Sequence, residues 1–371
     1  MRWSFLSVET ILLLCVGLLG LLFILQECED EVEKTVSHPV HLERMIRDPP
    51  DQKIKWNACP EDKSVYQVGG FSKLPEHIQN FMRYRHCRSF PQVLNTPQKC
   101  GGKAMSEELF LLLAIKSSPG NYERRAVIRQ TWGQERSYNG VQVKTIFLCG
   151  TSRDAREDRH LRQLLKIESE AYKDILQWDF HDSFFNLTLK QILFHQWLHE
   201  YCPGAHFIFN GDDDVFVNTF NVITYLNGLE AHRHLYVGQL VKGGPIRESR
   251  SKYYIPVQLL SSNTYPLYCG GGGIIMSRYS AQAIYNASLD IPLFPIDDVY
   301  LGMCLEKAGL TPGYHMGIRT MGVYLPTNKE DSFHPCYYKE LLMVHRLVPY
   351  QMLVMWKAIQ YPLNCGHKLS V

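Results

Sequence analysis

The stretch His206–Asn218 reads HFIFNGDDDVFVN. Its apolar run, His206-Phe207-Ile208-Phe209, is that of a buried strand. It ends in three consecutive carboxylates, Asp212, Asp213 and Asp214, and a second apolar run, Val215-Phe216-Val217, follows at once. Three like charges between two hydrophobic segments repel one another, and partial burial raises that cost. Two arrangements relieve it: a solvated acidic turn between two strands, or a divalent cation. Hard oxygen ligands at strand-end spacing suit Mn²⁺ or Mg²⁺, with a diphosphate supplying further oxygens.

Upstream of this segment the pattern alternates strand and helix. Leu109–Ile115, LFLLLAI, reads as a buried parallel-type strand. A loop over Lys116–Asn121 leads to a helix over Glu123–Trp132 that carries Arg124, Arg125 and Arg129. Val143–Cys149, Ile175–Asp179 and Phe207–Phe209 read as further strands. Asp158–Tyr172 reads as a helix and Asn186–Tyr201 as an amphipathic one. This βαβ spacing predicts an α/β fold: a parallel sheet with right-handed crossovers and ligands at the carboxyl ends of its strands. The triple aspartate sits at such an end. No GxGxxG follows the first strand and no GxxxxGK[ST] occurs, so dinucleotide oxidoreductase and P-loop readings lose their main support.

The first residues bear on the compartment. Phe5–Leu25 is almost wholly apolar, and twenty-one helical residues span ~32 Å, enough for one bilayer crossing. Arg2 precedes it, and Glu27, Glu29, Asp30, Glu31 and Glu33 follow. The positive-inside bias then leaves residues 1–4 as a cytoplasmic tail and everything beyond Leu25 in the lumen or outside. Leu25-Gln26-Glu27-Cys28 offers no small-x-small cleavage site, which favours an uncleaved signal anchor over a cleaved peptide. Residues 26–98 have weak periodicity and charge runs, and read as a stem whose later part, with Cys59 and Cys87, is a candidate for stapling to the domain. Residues 99–371 form one large domain. Ten of the eleven cysteines lie beyond the anchor, which in an oxidising lumen predicts several disulfides with the pairing left open. Asn186-Leu187-Thr188 and Asn286-Ala287-Ser288 are glycosylation sequons, making Asn186 and Asn286 candidate attachment sites. A net charge of +2 gives no reason to expect nucleic acid as a partner.

Four further features join the triple aspartate. Tyr268–Ser277, YCGGGGIIMS, has four glycines that let backbone approach a ligand, or that simply form a turn before a strand. Pro295–Gly302, PIDDVYLG, places Asp297 and Asp298 at the head of a helix. One carboxylate there suffices as a cap, and two exceed that need. His345, in LLMVHRL, is either a satisfied core residue or a nitrogen ligand for Mn²⁺. Lys116, Arg124, Arg125 and Arg129 put positive charge where a diphosphate would lie, or form a solvated basic face.

Taken in order, IKSSPGNYERRAVIRQTW (Ile115–Trp132), NGDDDVFVN, YCGGGGIIMS, PIDDVYLG and the late VHR resemble the beta-1,3-glycosyltransferases of family 31, from about Cys87 to Trp356. Within that family the chain looks most like the beta-1,3-N-acetylglucosaminyltransferases, in particular the type that extends core 1 O-glycans. PIDD and its continuation to Met303-Cys304-Leu305 carry that finer likeness, where galactosyltransferases more often have Glu first. The resemblance implies a GT-A fold, with a Rossmann-like nucleotide half and an acceptor half. It implies Mn²⁺ held by Asp212, Asp214 and His345, Asp298 as catalytic base, and UDP-GlcNAc as donor. Lys116, Arg125, Arg129, Asp212, Asp213, Gly271 and Gly272 would line the donor. The acceptor would be a galactose-terminated glycan, with the chain a single-pass type II protein of the Golgi membrane; association with itself or with other glycosyltransferases stays open. The chemistry is consistent in itself: inversion needs one base at the acceptor hydroxyl and one electrophile at the leaving diphosphate. A galactosyltransferase of the same fold, a non-catalytic glycan-binding protein, and a membrane-anchored metal hydrolase are the alternatives. The absence of HExxH counts against the last.

Overall fold

The computed structural model describes residues 59–138, 140–152, 155–321 and 333–365. The expected anchor, Phe5–Leu25, lies outside them, as does Cys28. Among the described residues no helix is long and apolar enough to cross a membrane.

The order of elements begins with helix α1 (Glu76–Tyr84) and strands β1 (Gln92–Leu94) and β2 (Leu109–Lys116). Next come α2 (Tyr122–Gln130), β3 (Ser137–Tyr138), β4 (Val141–Thr151), α3 (Ala155–Tyr172) and β5 (Ile175–His181). Helix α4 (Leu187–Tyr201) leads to β6 (Phe207–Asp212), β7 (Val215–Val217) and α5 (Thr219–Leu226). Four strands follow, β8 (Tyr236–Gly238), β9 (Leu240–Val241), β10 (Tyr268–Cys269) and β11 (Gly273–Ser277), then α6 (Arg278–Ser288) and α7 (Asp297–Lys307). The last elements are β12 (Gly313–Tyr314), β13 (Ile318–Arg319), α8 (Pro335–Glu340), β14 (Met343–His345) and α9 (Pro349–Gln360).

β2 is the centre of the main sheet because its apolar run has a layer to cover each face. Leu111, Leu113 and Ile115 pack with Ile128, Trp132 and Phe209, while Leu112 and Ala114 pack with Leu193, Phe194 and Trp197 of α4. Among the described residues this sheet has nine strands in the order β1-β5-β4-β2-β6-β11-β8-β12, with β3 beside β4. The four strands β5, β4, β2 and β6 run parallel, as the βαβ spacing requires. From β2 the chain moves outward through β4 and β5, then returns on the other side as β6. That reversal opens a crevice at the carboxyl ends of β2 and β6, where α/β proteins hold ligands. Beyond β6 the sheet is mixed: β11 is antiparallel to both β6 and β8, and β12 is parallel to β8. A mixed α/β sheet with a parallel half and an irregular half is the GT-A-like arrangement that the motifs imply.

Two expectations meet a different arrangement. α4, expected to be amphipathic, is buried nearly all round from Thr188 to Leu198, because α6 and α7 cover the side turned away from the sheet. Its polar residues are drawn inward with partners: Lys190 Nζ binds Asp182 (2.8 Å) and the Ser117 carbonyl (2.7 Å). The compact unit begins at Cys59, so residues 59–98, read from sequence as the later stem, pack on the domain. β1 pairs with β5 and Arg88 donates to the Ser288 carbonyl (2.6 Å) and to that of Ile291. Cys59 and Cys87 pair with each other, Cys100 with Cys202, and Cys336 with Cys365, while Cys149, Cys269 and Cys304 are buried thiols.

Candidate active site

Strand register brings the motifs to one place. Lys116, the last residue of β2, lies opposite Asp212 of β6. Gly273 of β11 lies opposite Gly211, which folds the glycine run over the aspartates, and the Asp212 N–H donates to the Gly272 carbonyl (2.9 Å). In a second, three-stranded sheet, His345 of β14 lies opposite Val215 of β7, one residue beyond Asp214. Gly272 has a φ of +106°, and a Cβ there would meet the His345 ring at 3.3 Å. The glycine lets strand and imidazole approach.

Asp212, Asp214 and His345 each offer a ligand atom, and these atoms lie within 4.8 Å of one another. His345 Nδ1 lies 2.9 Å from the Thr320 carbonyl; assigning the proton to that nitrogen turns Nε2 toward Asp214 Oδ1, at 3.1 Å. With the proton on Nδ1, Nε2 carries none to donate, and Oδ1, though buried, has no other donor. Burial works to raise the Asp214 carboxyl, but the imidazole and Arg124 hold it below its ordinary value. Burial works to lower His345, and the Asp214 carboxylate holds it above. A donorless buried oxygen, an imidazole oriented through its other nitrogen and a second carboxylate fit a divalent cation that takes mixed oxygen and nitrogen ligands. Among the described residues the one other such cluster, Cys59, His86 and Cys87, has its two sulfurs joined in a disulfide.

Asp297 and Asp298 open α7 beside this cluster, and their environments separate them. Lys116 Nζ sits between Asp212 Oδ1 (3.0 Å) and Asp297 Oδ2 (2.8 Å). Burial alone would pull Lys116 down; the two carboxylates hold it well above its ordinary value. Burial would raise Asp297, but Lys116 keeps it ionised. Asp298 has no such partner. Burial, then the charge of Asp297, pushes it up to about 7, against the N–H groups of Val299 (2.7 Å) and Gly271 (2.9 Å) that its two oxygens accept. One carboxylate is a fixed anion and the other is poised to take a proton near neutrality, the division of labour that acid–base chemistry uses.

Four residues expected along the donor are placed otherwise. Arg125 is fully buried and binds Glu168 twice (2.8 Å each) and the carbonyls of Ser118 (2.6 Å) and Pro119 (2.9 Å). Arg129 is held by Asp174 (2.7 Å) and Glu168 (2.7 Å). Both lie on the face of α2 turned to the acids of α3 and the β5 entrance, and Arg125 also holds the loop after β2. Asp213 is buried and accepts from Ser117 Oγ (2.7 Å), Asn121 Nδ2 (2.8 Å) and Arg124 (3.1 Å), which occupies both its oxygens. Gly271 gives its N–H to Asp298, so it positions the base. Arg124 faces the cluster instead, 3.6 Å from Asp214. Asn286 is exposed on α6, and Asn186, half-buried at the head of α4, donates to the His181 carbonyl (2.8 Å). Arg125→Met is expected to cost about 3–5 kcal/mol of stability, since it strands buried Glu168 contacts and loop carbonyls. Thermal unfolding measures this, and a variant as stable as wild type but with weakened nucleotide binding would restore the donor-contact reading.

The mixed sheet gathers its acidic residues at the reversal of its strands, where α/β folds hold ligands. The chain belongs to the galactosyltransferase family, whose model matches residues 123–315. It is 51% identical to the acetylgalactosaminyl-O-glycosyl-glycoprotein beta-1,3-N-acetylglucosaminyltransferase of Mus musculus, over 84% of this chain and 80% of that one. It is 50% identical to N-acetyllactosaminide beta-1,3-N-acetylglucosaminyltransferase 3 of Homo sapiens, over 84% of each. It is 46% identical to UDP-GlcNAc:betaGal beta-1,3-N-acetylglucosaminyltransferase 7 of Rattus norvegicus, over 84% of this chain and 79% of that one.

Proposed function

We propose that this protein transfers N-acetylglucosamine from UDP-GlcNAc to O3 of a terminal galactose with inversion, on core 1 O-glycans or poly-N-acetyllactosamine. The observation that carries the reading is the pairing of Asp298, ionisable near neutrality, with the Asp212–Asp214–His345 cluster on one crevice. Asp298 would take the O3 proton as the sugar is captured, with Gly271 and Val299 holding its carboxylate in place. Lys116 keeps Asp297 and Asp212 from repelling each other and the donor. Mn²⁺, held by Asp212, Asp214 and His345, would supply Lewis-acid stabilisation of the charge developing on UDP. UDP-galactose is the less favoured donor despite the family's name, because relatives sharing about half their residues with this chain are named for N-acetylglucosamine.

A second acceptor reading has its own support: the 51%-identical relative is named for an acetylgalactosaminyl-O-glycosyl-glycoprotein acceptor. We further propose a luminal domain on the Golgi membrane behind a type II anchor. Three disulfides among the described residues support an oxidising compartment. The full chain, Mn²⁺, UDP-GlcNAc or UDP-Gal, and a panel of galactose- and O-linked N-acetylgalactosamine-terminated acceptors test the assignment by linkage analysis of the product. The expected product is GlcNAcβ1,3Gal from UDP-GlcNAc. Faster transfer from UDP-Gal, or onto N-acetylgalactosamine alone, would overturn the donor or the acceptor half respectively.

A further inference from the structure

The Thr320 carbonyl, 2.9 Å from His345 Nδ1, belongs to the same planar peptide group as the Met321 N–H. The two point opposite ways across a trans peptide, so whatever fixes the N–H aims the carbonyl. That N–H donates to Gln239 Oε1 (3.3 Å). The same oxygen accepts the Thr320 N–H (2.7 Å) and the Thr320 hydroxyl (3.0 Å). Three donors converge on one atom, which assigns it as the amide oxygen of Gln239. β13 needs such a tie. Its pairing with β14 covers Ile318 and Arg319 and stops one residue before Thr320.

Gln239 joins β8 to β9 and belongs to none of the motifs. Its own carbonyl accepts the Gly270 N–H (2.9 Å). Gly270 opens the glycine run in which the Gly271 N–H holds Asp298 and the Gly272 carbonyl holds the Asp212 N–H. The main chain of Gln239 thus anchors the base side of the crevice, and its side chain the histidine side.

His345 has one proton to place when neutral and an acceptor at either nitrogen: the Thr320 carbonyl at Nδ1, and Asp214 Oδ1, 3.1 Å from Nε2. Arg346 Nε donates to Nε2 (3.3 Å), which makes that nitrogen an acceptor. The aimed carbonyl keeps the proton on Nδ1 and leaves the Nε2 lone pair free for a ligand.

We infer that Gln239 is a positioning residue: by fixing the Thr320–Met321 peptide it holds His345 in the tautomer and orientation that a divalent cation requires. Polar groups behind a ligating imidazole are worth about 10–100-fold in metal affinity. The inference rests on the cation reading of Asp212, Asp214 and His345, and its test separates the two.

The full chain in detergent, freed of metal and carrying ¹⁵N-labelled histidine, reports the tautomer by NMR, the His345 signal being identified by its loss in His345→Gln. At about pH 9, where histidines are neutral, wild type and Gln239→Glu, which keeps the accepting oxygen, should carry the proton on Nδ1. Gln239→Leu, which removes that oxygen, should move the proton toward Nε2. Calorimetric titration with MnCl₂ alone should show affinity at least about tenfold weaker in Gln239→Leu and within about twofold of wild type in Gln239→Glu. Gln239→Asn draws the oxygen back by one methylene and should follow Gln239→Leu; it stands in if thermal unfolding shows that the apolar variant fails to fold. A proton that stays on Nδ1 in these two variants, or unchanged Mn²⁺ affinity, overturns the inference. Wild type that takes up no Mn²⁺ would remove the cation reading by itself, and the tautomers would still decide the part played by Gln239.

Discussion

Asp298→Asn is expected to lower kcat by about 10²–10⁴-fold while UDP-GlcNAc still binds. The amide keeps the size of the side chain and can still accept the Gly271 or Val299 N–H through its oxygen, so the head of α7 is preserved. What it loses is the capacity to take a proton. The same residue sets the pH dependence. A base raised to about 7 is active when ionised, so kcat/KM should fall as pH drops through about 7 and level off above it. In Asp298→Asn the residual rate should lack that acid limb. Asp297→Asn gives the contrast: Asp297 is held ionised by Lys116, so its loss removes a charge partner from a buried lysine and relieves the repulsion on Asp298. The acid limb should then move to lower pH. Steady-state rates across pH for the three proteins settle the matter, and an Asp298→Asn enzyme at wild-type speed would end the assignment.

The parallel half of the sheet was legible because its information is local. An apolar run such as Leu109–Ile115 has one stable environment, covered on both faces, and the strand ends announce themselves by the polar residues that follow. The two acidic motifs that converge are legible for the same reason: like charges crowded at Asp212–Asp214 and at Asp297–Asp298 are unusual enough to demand a partner. Choices between adjacent helical residues were not. Arg124 and Arg125 are separated by about 100° on α2, and only the position of Glu168 on α3 decides that Arg125 turns inward and Arg124 faces the aspartates. The central aspartate of the triplet misled for the same reason, since its partners Ser117 and Asn121 come from the loop after β2, nearly a hundred residues earlier. The burial of α4 depended on α6 and α7, which follow it in sequence. From sequence, the charge of Lys116 at the end of β2 suits a diphosphate. Its register opposite Asp212 and its reach to Asp297 instead make it the tie between the two acidic motifs, a role no local pattern encodes.

The three cluster members are not equivalent, and that asymmetry yields the second large effect. Asp212 shares its Oδ1 with Lys116 at 3.0 Å, so part of its charge is already met. Asp214 has a buried oxygen with no donor, and His345 stands beside it with a nitrogen turned the same way. Removing Asp214 therefore removes the carboxylate oxygen that no hydrogen bond occupies. Asp214→Ala is expected to abolish Mn²⁺-dependent UDP-GlcNAc binding, whereas His345→Gln, which retains a neutral donor atom, should leave weakened binding. Neither change should unfold the domain: Val215, Phe216 and Val217 stay packed against β14 through main-chain pairing. Calorimetric titration of UDP-GlcNAc with and without Mn²⁺ measures each step, and thermal unfolding checks that the fold is kept. Proton linkage adds an independent reading. Asp214 holds His345 above its ordinary pKa, so in wild type the metal must displace a proton from the imidazole as pH falls. Mn²⁺ affinity in wild type should accordingly weaken toward acid pH, and it should weaken less steeply in His345→Gln. Full metal-dependent nucleotide binding by Asp214→Ala would mean that the ion sits elsewhere, and the crevice at the ends of β2 and β6 would lose its role as the donor site.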